Sequence, residues 1–229
     1  MKSATSTLIL IFLFAISHSI AGQKNDLTGF NKIEVTDGID VQLILDKTCA
    51  VEWELKNIEP DKVVAEIKDK TLKLSTQGGK SKDAVIKAKV YYNELFSLTV
   101  TGRAVVSSEE ELYLEKIDLL LGNGGEARLI VHADTLNATL AEGSVITLEG
   151  ETDILDVKVG TGATFSGYNF ESRQATVFSS SKGKAKIAVS ENLYAKSTTY
   201  GFIGFIGEPE FLVKEAALGG EVSQTVKEQ

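Results

Sequence analysis

Apolar and polar residues alternate along most of this chain. KIEVTDGIDVQLIL, CAVEWEL, KTLKLST and DAVIKAKVYY each carry apolar side chains at i, i+2 and i+4. That is the period of a strand with one buried face. TDGI at Thr36–Ile39 and KDK at Lys68–Lys70 predict turns between such strands. In EPDKVVAEIKD, Val63, Ala65 and Ile67 alternate, so the segment predicts a strand entered through a loop or helical turn at Pro60. No long helical pattern competes with these runs.

From about Leu98 the alternation acquires a fixed interval. Leu121, Leu140, Val159 and Phe178 are 19 residues apart, as are Gly124, Gly143 and Gly162. Ile117, Leu136, Leu155, Leu193 and Leu212 follow the same step, with Gln174 as a polar interruption. A period of about 20 residues marks a solenoid. Each unit is too short for a helix with its loops, and the dense leucine frame of leucine-rich repeats is missing. The prediction is an all-β parallel β-helix of about 19 residues per coil. Leu121, Leu140, Val159 and Phe178 then form an inward column, and Leu120, Thr139, Lys158, Val177 and Lys196 an outward one. The glycines fall at corners, where positive φ is cheap. FSSSKGKAKIAV is one residue long at its corner and the next unit one short. That places Ile203 and Phe205 over Ala185 and Ile187. The predicted organisation is less regular N-terminal coils or hairpins over 22–97, a regular β-helix over 98–222 and a flexible tail over 223–229.

The first 21 residues stand apart. Lys2, the apolar run Leu8–Ile16 and Ser19-Ile20-Ala21 have the layout of a cleaved secretory signal. The run is shorter than the roughly 20 residues that span a bilayer. The expected location is therefore extracytoplasmic: periplasm, cell surface or secreted, with no membrane span after cleavage. The net charge of −8 argues against nucleic acid. Cys49 is the only cysteine, so packing alone must hold the fold.

Catalytic chemistry finds little support. His132 is the one histidine beyond the signal, and VHAD sets it beside Asp134 on one strand face. One His and one Cys do not make an ordinary zinc site. Glu149, Glu151, Asp153 and Asp156 gather acid around one predicted corner, with Asp134 and Asp153 stacked 19 apart and Ser172 next. Calcium needs six to eight converging oxygens, and a solvated acidic edge fits this pattern better. SSEEELYLE, Ser107–Glu115, reads as another exposed acidic corner. No cofactor is expected. The residues singled out for ligand binding are Tyr168, Tyr200 and Phe202. The last two fall in TTYGFIGFIG, where rings among glycines can stand outward to stack on a sugar or anchor a partner.

GFNKIEVTDGIDVQLIL, TLKLST and the closing GEPEFLVKEAALGGEV resemble the bacterial family named Putative auto-transporter adhesin, head GIN domain. Phe30, Ile33, Val35, Gly38 and Val41 carry the opening; Gly207, Pro209, Gly219 and Gly220 carry the close. The resemblance spans residues 29–222 and implies an extracytoplasmic right-handed β-helix with no catalytic residues to transfer. The expected function is non-catalytic: an adhesin-like cell-envelope protein that meets a protein or glycan through its long faces, with an open end coil where a second copy could pair. The alternative is a carbohydrate-active, polysaccharide lyase-like enzyme on the same fold.

Overall fold

The computed structural model describes residues 20–21, 25–27 and 29–225. All but Ile20 and Ala21 of the segment read as a secretory signal lies outside them. The chain forms one sheet of 17 strands wound into a parallel β-solenoid. In order the strands are β1 (Ile20–Ala21), β2 (Asn25–Asp26), β3 (Lys32–Val35), β4 (Asp40–Leu45), β5 (Ala50–Lys56), β6 (Val63–Lys68), β7 (Thr71–Thr76), β8 (Val85–Tyr92) and β9 (Ser97–Val100). Five long strands follow: β10 (Val105–Leu121), β11 (Glu126–Leu140), β12 (Val145–Val159), β13 (Thr164–Ser179) and β14 (Lys184–Ser197). The short strands β15 (Phe202–Ile206), β16 (Phe211–Ala216) and β17 (Glu221–Gln224) finish the stack.

Each regular coil is one long strand that bends in its middle and one tight corner. The corners are four-residue turns at 36–39, 101–104, 122–125, 141–144, 160–163, 180–183, 198–201 and 217–220. In every one the fourth N–H donates to the first carbonyl, as in Ala163 N to Gly160 O at 3.0 Å and Gly201 N to Thr198 O at 2.9 Å. The two central residues have positive φ throughout, for example Asn123 (49°) and Gly124 (71°). This is the type I′ turn, whose twist suits the flanking strands. Successive corners are also bonded to each other: Gly124 N to Glu142 O, Gly143 N to Thr161 O and Gly162 N to Ser181 O, each at 3.0 Å. The backbone ladder therefore continues around the corner. At the mid-strand bend, Gly150 (φ 109°) meets the preceding coil so closely that a Cβ would lie 2.1 Å from the Val131 carbonyl oxygen.

The inward columns fill one continuous core. Ile117, Leu136, Leu155, Ala175 and Leu193 lie in register and are all buried. So are Leu121, Leu140, Val159, Ser179 and Ser197. These columns correct two sequence expectations. Phe178 faces outward beside Lys158, and Val177, expected outside, is fully buried. The cause is a β-bulge: between the Thr147–Ser166 and Glu149–Asn169 pairs, Gly167 and Tyr168 together oppose Leu148. The offset grows from 19 to 20, so Ala175 rather than Gln174 joins the leucine column. The extra residue sits in mid-strand; the corner at 180–183 keeps its four residues. The next step is 18, and Ile203 and Phe205 do stack on Ala185 and Ile187. Ser179 and Ser197 are tolerated inside because their hydroxyls find backbone partners. Ser179 Oγ donates to Gly183 O at 2.7 Å, and Ser197 Oγ accepts from Glu221 N at 3.2 Å.

At the N-terminal end the chain starts one layer in. β3 lies between β7 and β9, and β4 between β8 and β10, all parallel. β5 and β6 then fold antiparallel onto β8 and β7 and cover this end. Pro60–Lys62 is a single 3₁₀ turn leading into β6. At the other end β17 runs to Gln224, two residues past the boundary read from the sequence. No strand among the described residues covers β16. Phe211, Leu212 and Val213 are exposed there, and Lys214 occupies the inward column below Ala195. A charge pointing inward blunts an edge against further pairing.

Candidate functional site

Two of the outer regions that bring side chains together bear on function. The first is the bend face of β10–β13. His132 lies between carboxylates from the neighbouring coils, with Nε2 3.5 Å from Glu111 Oε2 and Nδ1 3.4 Å from Glu151 Oε1. Its ring stacks on Tyr113 at 4.8 Å between centroids and 12° between planes. The Tyr113 hydroxyl in turn donates to Glu111. The His132–Asp134 pairing raised by VHAD is thus replaced by a stack running along the solenoid axis. Next to it Arg173 Nε donates to Glu191 Oε1 at 2.8 Å, and Nη1 donates to Asp153 Oδ1 at 3.1 Å. Both carboxylates, Glu191 foremost, raise the guanidinium pKa and hold it charged. The bulge puts Arg173, where a strict period would put Ser172, beside Asp153. The same slip sets Asn169, not Tyr168, beside Glu149. These acids, like SSEEELYLE, belong to strands and not to corners. No group of three or more His, Cys, Asp or Glu able to hold a metal exists among the described residues.

The second region is built from β14, β15 and the corners before them. Register pairs Lys184 with Phe202 and Lys186 with Gly204. Counting back through the equal four-residue turns sets Lys182 against Tyr200. One coil therefore presents a row Lys182, Lys184, Lys186, and the next presents a row Tyr200, Phe202, Gly204. Strand alternation aims Lys184, Lys186 and Phe202 outward, with alternate residues about 7 Å apart along a strand, and Lys182 and Tyr200 stand exposed at the corners just before. The rows are about 4.8 Å from each other. All three lysines are exposed, and none forms an ion pair among the described residues. On the other flank Thr164 and Ser166 pair with Lys184 and Lys186, adding a row of hydroxyls.

Gly204 explains how the rings are laid. A Cβ there would meet the Tyr168 hydroxyl at 2.5 Å and the Phe202 ring at 3.0 Å. Tyr168, set free by the bulge, crosses the shorter coil to fill this gap. Its hydroxyl is 3.1 Å from Thr225 Oγ1, and the Lys186 ammonium lies 5.7 Å from its ring centroid. Tyr168 and Phe202 therefore meet over Gly204, both half-buried. Tyr200 stands at the corner, 70 % exposed, and packs on Gly219 one coil further. The sequence reading singled out these three aromatic residues and missed the lysines. SKGKAK holds the lysines at alternate positions, but only the 18-residue step sets them over Tyr200, Phe202 and Gly204.

The backbone is unusual in the same place. Every other corner that joins one coil to the next has glycine at one of its two positive-φ positions. The corners at Ser181–Lys182 (50° and 64°) and Thr199–Tyr200 (50° and 61°) have none. Left-handed backbone costs a non-glycine residue roughly 1–2 kcal/mol. Strain of this kind collects at functional sites.

The model of the family described as Putative auto-transporter adhesin, head GIN domain, matches residues 29–209. The chain belongs to this family. Solved structures share its fold. A protein described as a putative adhesin from Bacteroides fragilis superposes with a TM-score of 0.76 at 18 % identity, over 89 % of this chain and 94 % of that one. A putative adhesin from Parabacteroides merdae gives 0.71 at 17 %, over 90 % and 96 %. A structure from Parabacteroides distasonis called a putative lipid binding protein gives 0.66 at 16 %, over 90 % and 96 %. No curated protein matches the chain.

Proposed function

We propose that this family member is a non-catalytic, adhesin-like binding protein of the cell envelope. It acts outside the cytoplasm and presents one outer face of the solenoid to a protein or glycan at a cell surface. The observation that carries this reading is the row architecture. Bonded corners and parallel ladders hold exposed side chains in fixed lines, a rigid extended surface of the kind solenoids use for binding. The adhesin descriptions of the family and of its structural neighbours point the same way. The leader-like first 21 residues agree with export, and no helix among the described residues is long and apolar enough to cross a membrane.

The enzyme alternative needs a base and an acid converging on one substrate bond. The bend-face groove, about 380 Å³ in volume, gathers several such groups. There Glu111 and Glu151 flank His132, and Arg173 joins Asp153 to Glu191. The test is to titrate immobilised protein with a glycan panel and intact bacterial cells, while assaying a polyuronate panel for release of unsaturated sugars. Saturable binding without product release supports the proposal. Turnover, or binding to nothing on either panel, refutes it.

A further inference from the structure

We infer that the lysine row and the aromatic row together form a binding site for an anionic polysaccharide, running from the corner at Lys182 and Tyr200 to Lys186 and Tyr168. The inference rests on the surface-binding reading and gives it a place and a ligand class.

Three independent observations converge on these coils. The lysines are the first. In a chain of net charge −8, Lys182, Lys184 and Lys186 stand side by side without an acidic partner among the described residues. Glu221, the nearest acid in their columns, lies beyond Phe202, two coils from Lys184. The rings are the second. The Tyr168 hydroxyl and the Phe202 ring edge both close on Gly204, so aromatic surface fills the place where a side chain would otherwise project. The strained corners are the third. Among the corners that join successive coils, glycine, which would relieve them, is missing at the two whose side chains Lys182 and Tyr200 complete the rows; the hairpin turn at Asp69–Lys70 is the other glycine-free turn of this kind.

The chemistry follows from the order of the rows. Hydroxyls of Thr164 and Ser166, then ammonium groups, then ring faces succeed one another across the coils. A sugar chain carrying carboxylate or sulfate groups offers a partner to each: hydroxyls to hydroxyls, anions to lysines, and the C–H face of a sugar ring to Phe202 and Tyr200. The site is open and linear, which suits a polymer lying along the strands better than an enclosed small molecule. A membrane surface fits less well. Insertion needs protruding apolar side chains, and two of the three rings are half-buried.

The test is binding of the purified protein to immobilised polygalacturonate. Heparin, neutral dextran, a single-stranded oligonucleotide and phosphatidylglycerol vesicles serve as comparison probes. The expected result is saturable binding to polygalacturonate or heparin that weakens as salt rises, with none to dextran. Replacing Lys182, Lys184 and Lys186 by Gln should weaken it by about tenfold or more at low salt. The same change at Lys62, Lys68 and Lys70, at the far end of the solenoid, should leave it unchanged. Phe202→Ala should weaken binding several-fold while preserving its salt dependence. Lys182→Gly separates site from scaffold. It relieves a left-handed residue, so thermal stability should hold or rise while binding falls. Equal binding by the parent and the triple-Gln protein overturns the inference, as does preference for the vesicles or the oligonucleotide. Binding to neutral glycans or cells that ignores these substitutions removes this site but leaves the proposed function standing.

Discussion

Exchanging the burial of two adjacent residues is the clearest energetic consequence of the bulge at Tyr168. Val177 is 0 % exposed and paired with Val157 and Ala195 in an inward column. Phe178 lies outside, tilted against Tyr194 at 5.7 Å between centroids. Val177→Ala removes two buried carbons. At about 0.8 kcal/mol each, with a further contribution from the cavity left behind, the cost is about 2 kcal/mol. For a chain of this size that corresponds to a fall in Tm of roughly 4–8 °C. Phe178→Ala loses part of one ring contact on the surface, about 1 kcal/mol, and a fall of roughly 2–4 °C. A strict 19-residue step reverses the order: Phe178 becomes a core residue whose truncation costs about 3–5 kcal/mol, and Val177→Ala becomes nearly neutral. Calorimetry and urea denaturation of the two variants decide it. A larger loss from Phe178→Ala than from Val177→Ala would refute the bulge and every register beyond it.

Two further outcomes concern the scaffold. Gly150→Ala should destabilise by about 1–3 kcal/mol through backbone strain alone, and more from its clash with Val131. Gly143→Ala, with an open corner around it, should cost only about 1–2 kcal/mol; urea midpoints that rank them the other way would count against the bend geometry. Tyr92 is buried near Glu110, and burial chiefly pushes its pKa up to about 12. Its neutral form is favoured on folding, so its contribution is complete below pH 10 and is lost as pH rises from 10 towards 12. Tyr92→Phe should therefore flatten the alkaline decline in stability relative to the parent protein, and an unchanged slope would show that Tyr92 ionises as freely folded as unfolded.

The solenoid was legible because three columns share one period. Leu121, Leu140 and Val159 recur with their corner glycines, and only stacked coils require that. The bulge was not legible. Gly167 and Tyr168 satisfy the alternation locally, and a strict 19-residue step assigns Phe178, an apolar side chain, to the core column that Ser179 occupies. Serine was the obstacle. Ser179 and Ser197 are inside because corner carbonyls and N–H groups satisfy them, and no hydrophobic pattern reveals that. The layering of the N-terminal coils, with β3 between β7 and β9, was equally hidden, since pairing order is not written in alternation. At the site the aromatic members were visible as rings among glycines. Their lysine neighbours come from the preceding coil at the same step of 18 that stacks Ile203 on Ala185, a register already legible in the sequence, but alternation does not distinguish these exposed lysines from an ordinary solvated face.

That register is open to direct measurement by cross-linking. With Cys49 replaced by Ala, Lys184→Cys and Phe202→Cys should sit one strand spacing apart, about 4.8 Å, within the range a disulfide spans. Mild oxidation should join this pair and shift its mobility on non-reducing gels. The Lys184→Cys and Ile203→Cys pair should stay reduced, because Ile203 faces the core. Linkage of 184 to 203, or of neither pair, would contradict the placement of the lysine row over the aromatic row.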